Sequence, residues 1–346
     1  MNAVLETQDT VQFSPLPDAF ERVDLIEALP LPNPISMLVD PTSLCNFRCQ
    51  FCPTGDPHLI KQSGRSQNFM PLELLQRILD GVREFEQPLK VLRLYKDGEP
   101  LLNPHFAEFV RQAKAVPQVQ RVETTTNGSK LDRAMARRLM DAGIDRIVIS
   151  IEGVSAQKYL EFAKVRIDFD ALVENIAYLH SIRGQCQIHV KTVQENLGEG
   201  EDAVFRELFG PICDRLFIER TVPSWPTFNI DRLVRRESRE LDAQHRPLVR
   251  KRVCAYPFYS LSVNSDGTVS PCCVDWRRDL VLGDVRRERL LDIWNGAALA
   301  ELRRTHIERG RAGNPTCASC GQVDYCATEN LDGAEGRLRK AFGATA

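Results

Sequence analysis

The chain has 346 residues, a length that suits one large α/β domain with an appendage or two modest domains. Charged residues make up 27% of it but nearly cancel, leaving a formal net charge of −2 and no basic field for gathering nucleic acid. No stretch approaches the roughly 18 to 20 apolar residues of a membrane span, and the N-terminus lacks a basic segment followed by an apolar one. We therefore expect a cytoplasmic protein with neither a nucleic-acid partner nor a membrane partner.

The chain contains 11 cysteines. A reducing cytosol keeps thiols free, so clustered cysteines there indicate metal binding or catalysis rather than a disulfide framework. The placement of these cysteines decides which chemistry they serve.

Residues 1–34 carry several prolines and only a short helical stretch, Ala19–Leu29, and we interpret them as an N-terminal arm. From residue 35 to residue 225, short β-rich runs alternate with helical patterns, as in βα units around a parallel sheet. The predicted strands are 35–41, 91–97, 121–126, 146–151, 187–193 and 215–221. The predicted helices are 71–86, 104–115, 131–142, 168–183 and 201–213.

The βα pattern stops near Pro223, where Pro-Ser-Trp-Pro interrupts it. We interpret residues 226–253 as a linker and residues 254–346 as a cysteine-rich domain. The predicted fold class is therefore α/β: a partial (β/α)6 TIM-like barrel with a small C-terminal cysteine-rich α+β extension.

Side chains alternate faces along a strand, so each predicted strand has an apolar face and a polar face. Because helices cover the apolar faces, the polar faces must line the barrel interior, where closed barrels usually carry branched aliphatics. So many polar groups predict a ligand-filled cavity, although individual members could instead pair with one another. The interior set comprises Arg93, Tyr95, Asp97, Glu123, Thr125, Asn127, Ser150, Glu152, His189, Lys191 and Glu219.

Cys45, Cys49 and Cys52 lie in one short loop between the first strand and the first helix. Thiolates are the usual ligands of Fe–S clusters, and such a loop can wrap one cube corner by corner. Three ligands leave one iron open for a small molecule that chelates through amino and carboxylate groups. Zinc is the alternative, but zinc sites usually show paired CxxC spacing and a nearby fourth ligand, for which only His58 is available here.

A CxxxCxxC motif after the first strand of a six-unit partial barrel resembles the radical S-adenosylmethionine (radical SAM) superfamily. This resemblance implies a [4Fe–4S] cluster on the three cysteines and S-adenosyl-L-methionine as the cofactor. It further implies that the cofactor is reductively cleaved to a 5′-deoxyadenosyl radical, which abstracts hydrogen from a substrate. A reducing electron donor of the flavodoxin or ferredoxin type is the partner that such chemistry needs.

The resemblance also assigns cofactor-binding residues. In the family, the residue before the third cysteine is commonly aromatic and touches the adenine, a role that carries over to Phe51. The run Gly98, Glu99 and Pro100 after the second strand is similar to the motif that receives the methionine amino group, and Gly98 would let backbone approach a ligand closely.

Further family positions lie at the ends of strands three and four and in the segments that follow them. Asn127 in Thr-Asn-Gly and Ser150 in Ser-Ile-Glu-Gly resemble the family positions that face the ribose and the carboxylate. Family members often carry a basic residue after strand four that meets the cofactor carboxylate, and Lys164 and Arg166 are both candidates here. Glu152 stands where aspartate is commoner.

The cysteine-rich tail contains Asp266-Gly267, a strong hairpin signal, between two β-rich runs. The tail resembles the twitch or SPASM extension of the same superfamily, which binds auxiliary [4Fe–4S] clusters. The implied ligands of one auxiliary cluster are Cys254, Cys272, Cys317 and Cys320, and a zinc ribbon on these four is the alternative.

The fuller SPASM pattern, with a second auxiliary cluster, is incomplete in this chain. Counting from Cys317 as the first cysteine of the pattern, Cys326 is the third, but Asn330 stands where the fourth would be. A second cluster on Cys273 and Cys326 is therefore an open alternative. Cys186 and Cys213 are isolated, and we expect them to fill core space.

The predicted function is that of a radical SAM oxidoreductase that dehydrogenates or epimerises a sugar, an aminocyclitol or a similar polar small molecule, with the auxiliary cluster as electron acceptor. Oxidation of a carbinol needs a base, and the inward-facing candidates for catalysis are His189, Lys191, Glu123 and Tyr95. One alternative is a SPASM-type enzyme that modifies a short peptide. A non-enzymatic alternative is an Fe–S or zinc scaffold protein.

Overall fold

The computed structural model describes residues 23–233, 240–326 and 329–343. Within these ranges nine strands form one sheet in the order β6-β5-β4-β3-β2-β1-β7-β8-β9. The strands β1 to β6 are all parallel and follow chain order. The strand bounds are β1 Ser36–Val39, β2 Val91–Arg93, β3 Val122–Thr126, β4 Arg146–Ile151, β5 Gln187–Val193, β6 Arg215–Glu219, β7 Ser260–Val263, β8 Thr268–Ser270 and β9 Gly283–Asp284.

Helices connect the parallel strands, and capping residues in the sequence fix their ends. Asp132 and Asp168 accept hydrogen bonds from the first turns of the helices they precede, as acidic N-caps do. The helix bounds are α1 Leu25–Ala28, α2 Pro57–Ser63, α3 Leu72–Arg83, α4 Phe106–Lys114, α5 Arg133–Ala142, α6 Ala156–Phe162, α7 Phe169–Ser181, α8 Glu201–Phe209, α9 Tyr256–Tyr259, α10 Leu290–Trp294, α11 Ala297–Arg309, α12 Pro315–Ala318, α13 Gln322–Tyr325 and α14 Glu335–Phe342.

The predicted partial barrel with its cysteine-rich extension is confirmed. Six βα units form an open sheet, and the extension adds to the edge of that sheet. Strand β7 pairs in parallel with β1, with Ser36 opposite Ser260 and Val39 opposite Val263. The antiparallel strands β8 and β9 then continue the sheet beyond β7. The barrel and the hairpin of the extension therefore share one hydrogen-bonded framework.

The core lies between the sheet and its outer helices. Alternate residues of the strands, such as Leu92, Ile147 and Ile149, are completely buried on the outer face. They belong to one continuous apolar cluster with helix residues such as Phe106 and Phe109. Burying this apolar layer drives the assembly of the βα units and leaves the polar strand faces to line the interior.

Most predicted elements match the observed ones, with three differences. The strand predicted over 91–97 ends at Arg93, and the helices Pro57–Ser63 and Ala156–Phe162 were not predicted. Residues 1–22 of the N-terminal arm lie outside the described residues. In the described part of the arm, the helix spans Leu25–Ala28. Within the part of the chain that the structure describes, no helix is long and apolar enough to cross a membrane.

Candidate functional site: a polar cavity between two groups of cysteines

The loop of Cys45, Cys49 and Cys52 follows β1 and packs against the loop that follows β2. Gly98 forms the contact, because a Cβ there would lie 2.2 Å from the Thr42 carbonyl oxygen and 2.3 Å from the Leu44 carbonyl oxygen. The Glu99 amide then donates a hydrogen bond to the Leu44 carbonyl at 2.8 Å. Only glycine permits this approach, so Gly98 supports the cysteine loop through its backbone.

Burial dominates the electrostatics of these three thiols. It raises the pKa of Cys45 to about 12, the pKa of Cys49 well above its ordinary value, and the pKa of Cys52 as well. A buried thiolate needs a compensating positive charge, and iron supplies one. Among the described residues, no three cysteine, histidine or acidic side chains surround a single metal-ion position. A cubane cluster does not require such an arrangement, because its thiolates bind separate iron atoms.

Glu99 and Asn127 tie the ends of β2 and β3 together. One Glu99 oxygen accepts hydrogen bonds from Thr126 Oγ1 and the Leu101 amide, and the other accepts the Asn127 amide at 2.7 Å. The Asn127 side chain donates to Asn46 in the cysteine loop at 3.0 Å. Pro100 begins the turn that follows. These residues therefore hold the loops in place, and a direct contact with the cofactor stays a prediction.

A second group of cysteines lines a small separate cavity in the extension. Cys254, Cys272, Cys317 and Cys320 all face it. Burial raises the pKa of Cys317 to about 12 and that of Cys320 to about 11. Four thiols around one cavity are the donor set that an auxiliary Fe–S cluster takes.

Cys273 and Cys326 face a different cavity, in the barrel interior, together with Cys52 and Phe51. The volume of this central cavity is about 620 Å³. Cys326, which the resemblance associates with cluster binding, therefore lines the central cavity and not the extension cavity.

Charged and hydrogen-bonding side chains occur along the wall of the central cavity among apolar ones, in line with the strand pattern. The inward-facing residues that line it are Arg93, Tyr95, Thr125, Ser150, Glu152, Lys191 and Glu219, and Tyr256, Tyr259 and Trp225 add aromatic surface. Lys191 Nζ lies 2.8 Å from Glu219 Oε2. Although burial opposes its charge, this carboxylate raises the pKa of Lys191.

The four residues predicted for catalysis do not all reach this cavity. Lys191 and Tyr95 line it, and burial raises the pKa of Tyr95. Glu123 lies outside its lining and forms ion pairs with Arg93 at 3.5 Å and Arg146 at 3.1 Å. His189 is buried outside the lining.

The two basic candidates after strand four lie away from the cavity. Lys164 and Arg166 are both exposed. Lys164 Nζ donates to the Glu161 carbonyl at 2.7 Å, at the end of its own helix. Their assignment to the cofactor carboxylate therefore stays a prediction without a supporting contact.

A buried charged group beside the cavity escaped the sequence analysis. Lys96 lines the cavity, and its Nζ lies 2.9 Å from Asp97 Oδ2. Arg65 approaches the same oxygen at 3.6 Å, and the Asp97 amide donates to Asp40 Oδ1 at 3.3 Å. Strict alternation from Leu92 and Leu94 assigned Lys96 to the outer face, but β2 ends at Arg93 and the chain turns after it. The sequence carried no indication that β2 ends at Arg93, so the position of Lys96 could not be predicted.

Comparisons with known proteins identify the family of the chain. The family model described as the Radical SAM superfamily matches residues 39–202, and the SPASM model, an iron-sulfur cluster-binding domain, matches residues 254–321. The chain belongs to the radical SAM superfamily. As a member with a SPASM domain, it takes S-adenosylmethionine, a [4Fe–4S] cluster and an auxiliary cluster, and the two groups of cysteines fit these clusters.

Individual relatives are distant. A GTP 3′,8-cyclase of Chlorobaculum tepidum is 34% identical over 124 residues, which are 36% of this chain and 34% of that protein. The chain thus spans about a third of the length of the curated relatives it matches.

Solved structures share the fold at low sequence identity. Streptococcus suis SuiB bound to its precursor peptide SuiA is 16% identical, with a TM-score of 0.59 over 87% of this chain and 73% of SuiB. BtrN in complex with AdoMet and 2-DOIA is 18% identical, with a TM-score of 0.54 over 85% of this chain and 96% of BtrN.

Proposed function

We propose that this radical SAM enzyme oxidises a polar small molecule of the sugar or aminocyclitol class, removing a C–H hydrogen and a hydroxyl proton from one carbinol. When bound, the [4Fe–4S] cluster and S-adenosylmethionine supply the radical that removes the hydrogen atom, and the auxiliary cluster supplies the electron acceptor. Epimerisation of the same class of substrate is the variant in which hydrogen returns to the carbon.

The observation that carries this proposal is the composition of the central cavity. Lys191 and Glu219 form an ion pair at its wall, and Arg93 and Lys96 add positive charge. Such groups match the many hydroxyl and amino groups of a polyol, because each buried polar group needs a hydrogen-bonding partner. A volume of about 620 Å³ suits a small molecule beside part of the cofactor.

The position of the auxiliary cysteines supports an oxidative reaction. Cys272 faces the extension cavity, while its neighbour Cys273 faces the central cavity. Tyr256 and Gln322 line both cavities, and the Gln322 side chain donates to Tyr256 Oη at 3.0 Å. One layer of side chains thus separates the substrate cavity from the auxiliary ligands.

The test is an anaerobic screen of the reconstituted, reduced enzyme with S-adenosylmethionine and a panel of polyols and aminocyclitols that includes 2-deoxy-scyllo-inosamine. We expect 5′-deoxyadenosine and a product that has lost a pair of hydrogen atoms, and deuterium on the oxidised carbon should appear in 5′-deoxyadenosine. A product with inverted configuration and unchanged mass would support epimerisation. An intact cofactor in the reduced, loaded protein would instead favour a non-enzymatic scaffold.

A peptide substrate is the second candidate, and a larger cavity favours it. This cavity has a volume of about 1260 Å³, is lined by Gln194–Gly200, Arg206 and His245, and shares Phe51 and Arg220 with the central cavity. An extended chain could lie there with one residue reaching inward. Turnover of a peptide encoded beside this protein, without turnover of any polyol, would establish this alternative.

A further inference from the structure

Two buried carboxyl groups stand next to the central cavity with unsatisfied oxygens. Asp40 and Asp97 are buried, and the Asp97 backbone amide donates a hydrogen bond to the Asp40 side chain at Oδ1. Asp40 Oδ2 and Asp97 Oδ1 have no hydrogen-bond partner. The charge of Asp97 acts on Asp40 and favours its protonated form, and two free oxygens are available to hold that proton.

The charges around this pair act on Asp40 in opposite directions. Burial and the neighbouring Asp97 raise the pKa of Asp40 to about 7, while Lys96 and Arg278 oppose the shift. Arg65, with its side chain fully buried, approaches Asp97 Oδ2 at 3.6 Å. The two basic side chains Lys96 and Arg65 stand beside the two carboxyl groups, so the group can take up one proton without a large excess of charge.

Lys96 connects the pair to the cavity. Its side chain is buried, it lines the central cavity, and its Nζ contacts Asp97 Oδ2 at 2.9 Å and the Asp275 carbonyl at 3.3 Å. Cys273 is also close to Lys96. Burial raises the pKa of this thiol, and the nearby Lys96 charge opposes that shift. Lys96 therefore lies between the cavity and both buried carboxyl groups.

We infer that Lys96 accepts the hydroxyl proton of the substrate and that the Asp40–Asp97 pair stores it. This inference rests on the proposed function. In the step, Lys96 Nζ passes one of its protons to Asp97 Oδ2 and takes up the hydroxyl proton of the substrate as the substrate O–H bond breaks, so that Lys96 stays cationic and the carboxyl pair gains one proton. The carbon gives up its hydrogen atom to the cofactor-derived radical and one further electron to the auxiliary cluster, leaving a carbonyl. Solvent or the next turnover removes the stored proton.

The first experiment needs no substrate. Infrared spectra of the reconstituted holoenzyme report the carbonyl stretch of protonated carboxyl groups. They are recorded from about pH 5 to about pH 9, a range that brackets an acid group titrating near neutrality. We expect a band that disappears as the pH rises through about 7, that is missing in Asp40→Asn, and that persists to higher pH in Lys96→Met because that variant lacks the opposing positive charge. Glu99 and Glu152 also have pKa values raised to about 7, so the difference between wild type and Asp40→Asn identifies the pair.

A titrating band that is unchanged in both Asp40→Asn and Lys96→Met, or no such band in wild type, would overturn the inference. Because Lys96→Met tests the pair without altering a carboxyl group, the result does not depend on whether Asp40→Asn folds.

The second experiment measures coupling with the panel compound that wild type oxidises, starting with 2-deoxy-scyllo-inosamine. We expect Lys96→Met to form 5′-deoxyadenosine and to take up substrate deuterium, while the ratio of oxidised product to 5′-deoxyadenosine falls about 100-fold, as for loss of a general base. The control is Lys114→Met, which removes an ion pair with Asp145 remote from the cavity lining. An unchanged ratio would overturn the role of Lys96 and leave the proposed function intact. If no panel compound is oxidised by wild type, the proposed function fails and the infrared result still decides whether the pair holds a proton.

Discussion

Gly98 is the residue on which the first cluster site depends most directly. It has no side chain, yet its position fixes how closely the loop after β2 approaches the carbonyl groups of Thr42 and Leu44. The cysteine loop has few other backbone contacts with the barrel, among them the Arg48 amide on the Ala163 carbonyl at 2.8 Å. Loss of one close backbone contact should therefore displace the cysteines.

We predict that Gly98→Ala destabilises the protein by about 3 kcal/mol, because backbone atoms cannot move aside as a flexible side chain can. It should also lower the iron retained after reconstitution. Gly336→Ala is the control, since a Cβ at Gly336 meets no atom within 4 Å. Iron content and thermal unfolding of the two variants provide the measurement, and equal behaviour would contradict this account of Gly98.

The raised pKa of Asp40 also makes a prediction about stability. Its pKa is about 7 in the folded chain against 3.8 when unperturbed. Between these values the folded state holds a proton that the unfolded chain releases, so the contribution of Asp40 to stability falls as the pH rises from about 4 to about 7. In Asp40→Asn this fall, at most a few kcal/mol, should be absent. Denaturant unfolding of both proteins at several pH values measures it, and parallel pH dependences would contradict the prediction.

Residue types and spacing predicted the cluster cysteines, because three thiols in one loop have few other uses. They could not predict Lys96, since its position depends on where β2 ends. They also could not separate Lys191 from His189: both alternate inward on β5, but only Lys191 lines the cavity. Depth along a strand is set by the packing of neighbouring elements and not by alternation.

Among the secondary-structure elements, the hairpin of β7 and β8 contributes most to the extension. Its turn contains Gly267, with a φ of 91°, a left-handed conformation that disfavours side chains. Asp266 in the same turn accepts a hydrogen bond from Ser66 Oγ at 2.6 Å and pairs with Arg278. The hairpin thus sets the separation of Cys254 and Cys272 along the sheet. The sequence predicted this hairpin from Asp-Gly but not its pairing with β1, which is a long-range contact without a local signal.

We predict that Gly267→Val removes about four of the irons while the first cluster remains, because only the auxiliary ligands depend on this turn. Gly184→Val is the matched control, since Gly184 also has a positive φ, 57°, and no neighbour to clash with a side chain. Iron and sulfide analysis with electron paramagnetic resonance measures the outcome. Loss of both clusters in the Gly267 variant, or of neither, would argue against this division.

For the molecule as a whole, the four cysteines that line the extension cavity indicate one auxiliary cluster. We predict that a variant with Cys45, Cys49 and Cys52 changed to alanine retains about four irons per chain. Adding Cys273→Ser and Cys326→Ser should leave that number unchanged, because both residues face the central cavity. A fall in iron on adding these substitutions, or about eight irons in the first variant, would establish a second auxiliary cluster.

The pairing of β7 with β1 has a consequence for how such a chain can vary. Hydrogen bonds between β1 and β7 hold the barrel and the extension in register. The lateral spacing of the sheet therefore sets the distance between the first cluster and the auxiliary site. The length of the chain between β6 and β7 does not set this distance. Insertions and deletions in the part of this connection that precedes Cys254 should therefore be tolerated without changing the distance that electrons travel, whereas a one-residue slip between β1 and β7 should change it.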